Sequence, residues 1–269
     1  MKLEARAIRW TLLAVTILQI AIGILQLLGK DPLFRRAEVV GLHEVLPGGF
    51  LGHHMFYGLV CALLAFYWLQ MRVIPLFLLC VAGVAVTKSA FALASLFYGL
   101  LWFAYCRGWR RSALVTGVMA AILGAFLFLD TDNPTSLFFH NGRLPIWIYA
   151  VNALGERPWL GYGVAEFSRE FPAYHQVLGD KRWEEAHNEL IEYVFNMGMV
   201  GLLVLLPFAL SLGRRIYFLP RSKGKELAAG ALLMLAVNAI GSFPLQIAPF
   251  ATLTVFALAW IFSARAGDT

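Results

Sequence analysis

Eight apolar segments recur along this chain, and the polar interval between the fifth and the sixth is unlike any of them. The segments cover about residues 10–28, 52–69, 74–86, 90–105, 112–129, 193–212, 227–240 and 247–263. A chain in lipid has to satisfy its backbone polar groups internally, so segments of this kind fold as helices. Soluble domains carry about 25% charged residues, whereas this chain has 14% charged and 60% hydrophobic residues. So few charges cannot cover a water-facing surface of this size. The expected fold is all-α: a polytopic transmembrane bundle of about eight spans, with one large loop that contains amphipathic helices. Several segments are shorter than the ~20 residues a straight span needs, which leaves their ends approximate.

The expected organisation is N-terminal spans over 1–129, a loop over 130–192 and C-terminal spans over 193–269. The loop holds ten of the sixteen acidic residues, three of the six histidines, and Arg143, Arg157, Arg169, Lys181 and Arg182. With the N-terminus in the cytoplasm, 13 of the 22 Lys and Arg residues fall on inside loops and 9 outside. Five of those nine lie in the long loop, and long translocated loops count little in this rule. The loop is therefore expected outside, in a bacterium the periplasm, with both termini cytoplasmic in an inner-membrane, multi-pass protein. The first apolar run lacks a small-residue cleavage site and reads as a retained span.

The net charge of +6 arises from short basic runs at 107–111 and 214–225, which mark cytoplasmic loops. No aromatic-interleaved basic surface points to nucleic acid. Cys61, Cys80 and Cys106 are odd in number and lie within or beside apolar segments, so neither a disulfide framework nor a zinc site is expected. His53 and His54 are adjacent and diverge by about 100° on a helix, which prevents joint chelation. His43-Glu44 has Pro47 where a zinc-protease motif needs histidine. No metal and no cofactor is expected.

The chemistry is expected in the loop. Residues 182–196 read as an amphipathic helix running into the sixth span, with Glu185, Glu189, Glu192 and Asn196 on one face and His187 opposite. His187 is either a histidine satisfied within a packed face or, at a membrane–water boundary, a base that titrates near neutral pH. Pro145 suits the first turn of a helix and Pro158 follows its end. Arg143 then stands at a helix start, as a plain solvated arginine or as a phosphate seat. Gly161-Tyr162-Gly163 reads as a turn, with too few glycines for a phosphate-cradling loop. Lys88 is a lone cation at an exterior span end. It either snorkels to headgroups or helps hold an anionic substrate.

Together these residues resemble a family. Gly142-Arg143, Trp147, the run Pro158-Trp159-Leu160-Gly161-Tyr162-Gly163, then His187-Asn188-Glu189-Leu190 and Gly198-Met199-Val200-Gly201 are similar to the motifs of the O-antigen ligase and polymerase superfamily. Thr87-Lys88-Ser89-Ala90 and Phe243-Pro244-Leu245-Gln246 fit more loosely, and the whole spans roughly residues 80–260. The resemblance implies a metal-independent glycosyltransferase. Its donor is a glycan on undecaprenyl pyrophosphate. Its acceptor is a lipid A-core hydroxyl in ligases or another glycan in polymerases.

The family arginine falls on Arg143 and the family histidine on His187, the catalytic candidates. A second family arginine follows the serine of a T-x-S-R segment, but Ala90 stands there, so Lys88, Arg35 or Arg36 is left to contact phosphate. Asn188, Glu189, Gly161 and Gly163 complete the substrate-binding candidates. Family members are usually longer, which makes this chain a shortened member or a piece of one.

Readings of other classes are a lipid or polysaccharide transporter, for which mid-span polar residues are sparse beyond Asn238, and a non-catalytic envelope assembly protein. Orientation has a direct test. A cysteine placed at position 169, with the three native cysteines replaced, is expected to react in intact cells with a membrane-impermeant maleimide; protection until the cells are opened would put the loop in the cytoplasm.

Overall fold

The computed structural model describes residues 2–33, 38–40, 44–110, 116–117, 143–170 and 185–263. Apart from one ribbon of two three-residue strands, β1 (Glu38–Val40) and β2 (Glu44–Leu46), its regular structure is helical. The ribbon is antiparallel, with Val39 opposite Val45. Seven of the eight expected apolar segments fall on helices: α1 (Lys2–Leu27), α2 (His54–Gln70), α3 (Ile74–Val86), α4 (Ala90–Cys106), α6 (Glu189–Phe218), α7 (Lys223–Ala239) and α8 (Ala248–Ser263). The fifth, 112–129, lies outside the described residues except for a fragment at 116–117. Among the described residues the loop contributes α5 (Arg143–Leu154) and a single helical turn at Phe167–Glu170.

Among the described residues, two helical stretches are by length and composition long and apolar enough to cross a membrane, Arg6–Leu27 and Glu189–Phe218. The apolar helices α2, α3, α4 and α8 are shorter.

The chain divides into two compact units. The first comprises Met1–Arg107 and Ser222–Asn238. Its core is α2, packed against α3 and α4 around Leu64, Phe66 and Trp68, with Cys61, Cys80 and Val84 fully buried. Several polar groups in this apolar setting are paired, which offsets the cost of burying them. The Trp68 indole donates to Thr16 Oγ1 at 2.9 Å, Ser95 Oγ to the Met234 carbonyl at 3.0 Å, and Trp102 Nε1 to the Glu226 carbonyl at 2.9 Å. Gln26 on α1 accepts from the amides of Gly48 and Gly49 at 2.9 and 2.7 Å, holding the segment that leads into α2.

The turns at both ends of α3 follow from local chemistry. Arg72 adopts φ 58° and Pro75 enters the first turn of α3. At the far end Thr87 Oγ1 donates to Val84 O at 2.7 Å and accepts from Ser89 N at 3.2 Å. Ser89 caps α4 by accepting from Ala92 N. Between them Lys88 takes φ 52°.

The second unit comprises Gly108–Arg221 and Ala239–Thr269. Its α5 lies on the first part of α6 through Ile146, Ala150 and Ala153, with Tyr162, Phe167, Ala186 and Phe195 completing the core. Tyr162 stacks on Phe195 at 4.5 Å and 8°, and Phe167 meets the same ring edge-on at 5.0 Å. Helix α6 is broken at Gly198, whose φ of 61° and ψ of −160° are not helical.

A break in a helix strands carbonyls before it and amides after it, and residues 158–163 supply the partners. Tyr162 N and Gly163 N donate to the Phe195 and Asn196 carbonyls at 3.0 and 2.9 Å. In return Met199 N and Val200 N donate to the Pro158 and Trp159 carbonyls at 2.8 and 3.1 Å. The approach is close enough that a side chain is excluded on both strands. A Cβ at Gly198 would run into the Trp159 carbonyl oxygen, and one at Gly161 (φ 65°) into that of Phe195.

Gly198→Ala combines a left-handed backbone with a backbone clash, so a loss of about 2 kcal/mol or more is expected. Gly213, later on the same helix, has open space around it. Gly213→Ala is expected to be neutral or to stabilise by up to about 1 kcal/mol. Thermal unfolding of the two variants in detergent checks the contrast.

Candidate functional site

Residues 185–196 do not form one helix, and 182–184 lie outside the described residues. Helix α6 starts at Glu189, and Asn188 is its N-cap: its Oδ1 accepts from Ile191 N at 3.0 Å. His187 therefore sits in the turn before the helix, with φ 51°. That conformation is uncommon for a residue other than glycine and costs roughly 1–3 kcal/mol, so it persists only where neighbours enforce it. The placement of His187 opposite Glu189 and Glu192 on a helical wheel is corrected accordingly, because a capping asparagine and a left-handed residue end the helix first.

The neighbours that enforce it are explicit. Ala186, directly before His187, is completely buried and uses both of its backbone polar groups. Its N–H donates to Glu192 Oε2 at 3.0 Å, and its carbonyl accepts from Trp147 Nε1 at 2.8 Å. Directly after His187, Asn188 Nδ2 donates to the Ile240 carbonyl at 2.9 Å. The imidazole itself lies against the Phe243 ring, with centroids 5.2 Å apart and planes tilted by 56°.

The turn at 243–246 is gripped by the same two carboxylates that open α6. Leu245 N donates to Glu189 Oε1 at 2.7 Å, and Gln246 Nε2 donates to Glu192 Oε1 at 2.9 Å. Both carboxylates precede the break at Gly198 and the apolar stretch beyond it. Burial pushes both carboxyl groups above the usual range. The hydrogen bond from Leu245 N at Glu189 opposes this, and those from Ala186 N and Gln246 do so at Glu192.

Arg143 is the first residue of α5, as the placement of Pro145 implies. Trp147, one turn later, is the residue whose indole holds Ala186. The start of α5 and the His187 turn are thus tied together by a direct hydrogen bond. The Arg143 side chain lies outside the described residues, as do Arg35 and Arg36.

The amides of Gly161, Tyr162 and Gly163 are all engaged with carbonyls, those of Arg157, Phe195 and Asn196 respectively. Tyr162 also donates from its hydroxyl to the Ala153 carbonyl at 2.9 Å, and the Arg157 guanidinium lies 4.8 Å from the centre of its ring. Lys88 belongs to the first unit, at the left-handed position between α3 and α4. Among the described residues, no three His, Cys, Asp or Glu side chains gather as a metal-binding group.

The O-antigen ligase family profile matches residues 75–206. An O-antigen ligase of Pseudomonas aeruginosa is 31% identical over 167 residues, which cover 58% of this chain and 39% of that protein. Over about half of its length this chain is similar to O-antigen ligases. It spans about two fifths (39%) of the length of the curated ligase it matches. The matched range includes α3, α4, α5, the braced break and the His187 turn. The apolar helices fit the membrane setting of an O-antigen ligase-like protein.

Two roles in this site escaped the sequence. Glu192 is set aside if His187 is drawn on its helix, and Gln246 has no assigned part in a loosely matching turn. The available signal was two carboxylates three residues apart in the first turn of an otherwise apolar helix, where an unpaired charge is expensive. Asn188→Ala removes both the cap and the tie to Ile240, and a loss of about 1–2 kcal/mol is expected in thermal unfolding. Asn188→Asp keeps the cap and is expected to lose less.

Proposed function

We propose that this chain is a membrane glycosyltransferase that moves an oligosaccharide from undecaprenyl pyrophosphate to a lipid A-core hydroxyl or to the hydroxyl of another glycan. The observation that carries the reading is the Trp147–Ala186 hydrogen bond, which joins the helix opened by Arg143 to the turn that presents His187. The likeness to O-antigen ligases supports the reaction class.

The chemistry follows from the groups. The acceptor oxygen attacks the anomeric carbon of the donor sugar, and the bond from that carbon to the phosphate oxygen breaks. The electron pair leaves with the lipid pyrophosphate, already a competent leaving group, so the protein has mainly to hold charge and position the acceptor. Arg143, at a helix start where backbone amides also favour anions, neutralises charge on the departing phosphate. His187 takes the proton of the acceptor hydroxyl. Lys88 is the second cation in this reading, in place of the family's second arginine, and the reaction runs without a metal.

Asn188 and Glu189 shape the substrate side of the His187 turn, while Gly161 and Gly163 support the loop beneath it. In the same reading the eight apolar segments span the bacterial inner membrane, residues 130–192 face the periplasm, and both termini are cytoplasmic.

His187→Ala is expected to lower glycan transfer by about 10²–10⁴-fold while leaving insertion and abundance at the parental level. The assay uses purified protein with lipid pyrophosphate-linked glycan, alternative acceptors and no added metal. Transfer at the parental rate would remove His187 from the mechanism and favour a transport or assembly role.

A further inference from the structure

Glu192 is half of a clamp that the proposed reaction does not itself require. Its side chain is buried in an apolar part of the chain, and its two oxygens face different partners. Oε2 accepts from Ala186 N at 3.0 Å and Oε1 from Gln246 Nε2 at 2.9 Å. The first partner is the residue before His187. The second belongs to the turn whose Phe243 lies 5.2 Å from the imidazole. One carboxylate therefore fixes both the backbone that carries His187 and the ring it rests on.

Other contacts on either side of His187 lock the turn without reaching across to that ring. Trp147 holds the Ala186 carbonyl, and Asn188 holds Ile240. Glu189 grips the Phe243 turn through Leu245 N at 2.7 Å but has no bond to Ala186. Among these hydrogen bonds, only those of Glu192 connect the two.

We infer that Glu192, paired with Gln246, is a positioning residue: it holds the His187 imidazole at its left-handed backbone and against Phe243, ready to meet an acceptor hydroxyl. This rests on the reading of His187 as the base. Glu192 does not touch substrate. It acts through geometry, and a misplacement of about 1 Å at such a site can cost about 10²-fold in rate.

The pair can be exchanged. In Q246E two carboxylates face each other, and Glu192 is driven from the Ala186 amide. In E192Q/Q246E the amide introduced at position 192 accepts from Ala186 N through its carbonyl oxygen. Its nitrogen donates to the carboxylate introduced at position 246, which restores the second bond with donor and acceptor reversed. The experiment measures kcat and the donor KM, together with thermal unfolding, for purified full-length E192A, Q246E and E192Q/Q246E. E192A and Q246E are expected to lose about 10–100-fold in kcat with donor KM little changed, and the double variant to regain most of that loss.

Parental kcat in E192A, or a double variant no more active than Q246E, overturns the inference. Should E192A fail to fold, the isosteric pair Q246E and E192Q/Q246E carries the decision. His187→Ala in the same assay separates the two readings. Transfer retained there overturns the base assignment, and with it the positioning role. Transfer lost there with parental kcat in E192A overturns the positioning role alone.

Discussion

The break at Gly198 is the constraint on which the second unit depends. A helix entering an apolar medium cannot leave its carbonyls and amides bare, because each costs free energy comparable to a lost hydrogen bond. Here four such groups are matched by four from residues 158–163, two donating in each direction. The brace lets α6 change character midway. The part before the break carries one buried carboxylate, Glu192, and one half-buried, Glu189, just after the His187 turn, and the twenty residues after it, 199–218, form a rod of about 30 Å. Without a partner strand for the break, either the carboxylates would follow the rod toward lipid or the helix would end.

The brace also explains why the glycines and the aromatic residues of residues 158–163 occur together. Glycine at 161 and 198 lets the two backbones meet, while Tyr162 turns inward to stack on Phe195, the residue whose carbonyl its own amide bonds. Backbone pairing and ring stacking fix the same register. Arg157 covers the outer face of the tyrosine, so the cluster ends in a charge. The Gly161-Tyr162-Gly163 segment, read from the sequence as a turn, also joins two backbones.

Much of the fold was legible as hydropathy. The described apolar segments all fall on helices, five of the seven to within four residues at each end, because in such segments length and composition leave a helix as the main way to satisfy the backbone. The start of α5 was legible from Pro145. The site was less so, and the reason is specific. Periodicity drew His187 onto a helix, since Trp183, His187, Ile191 and Val194 keep helical spacing, but an asparagine cap at 188 ended that pattern five residues after it began. Periodicity reports which face of a helix is apolar; it does not report where a side chain will compete with the backbone for its first amides. The carboxylate clamp was hidden for a related cause, as its partners at 186 and 246 are far apart in sequence and one is a backbone group.

If α3 spans the membrane, as the proposed reading has it, its thirteen residues have a consequence for the lipid beside it. At 1.5 Å per residue they rise about 20 Å, whereas the hydrocarbon layer is about 30 Å thick. Such a hydrophobic mismatch is met by local thinning of the bilayer and by long cationic side chains reaching outward. The residues that flank α3 are suited to this, Arg72 before it and Lys88 after it, each held in a left-handed turn that closes the helix abruptly. A pinched bilayer at this helix would draw phosphate headgroups inward from both leaflets, toward one fixed positive charge on each side.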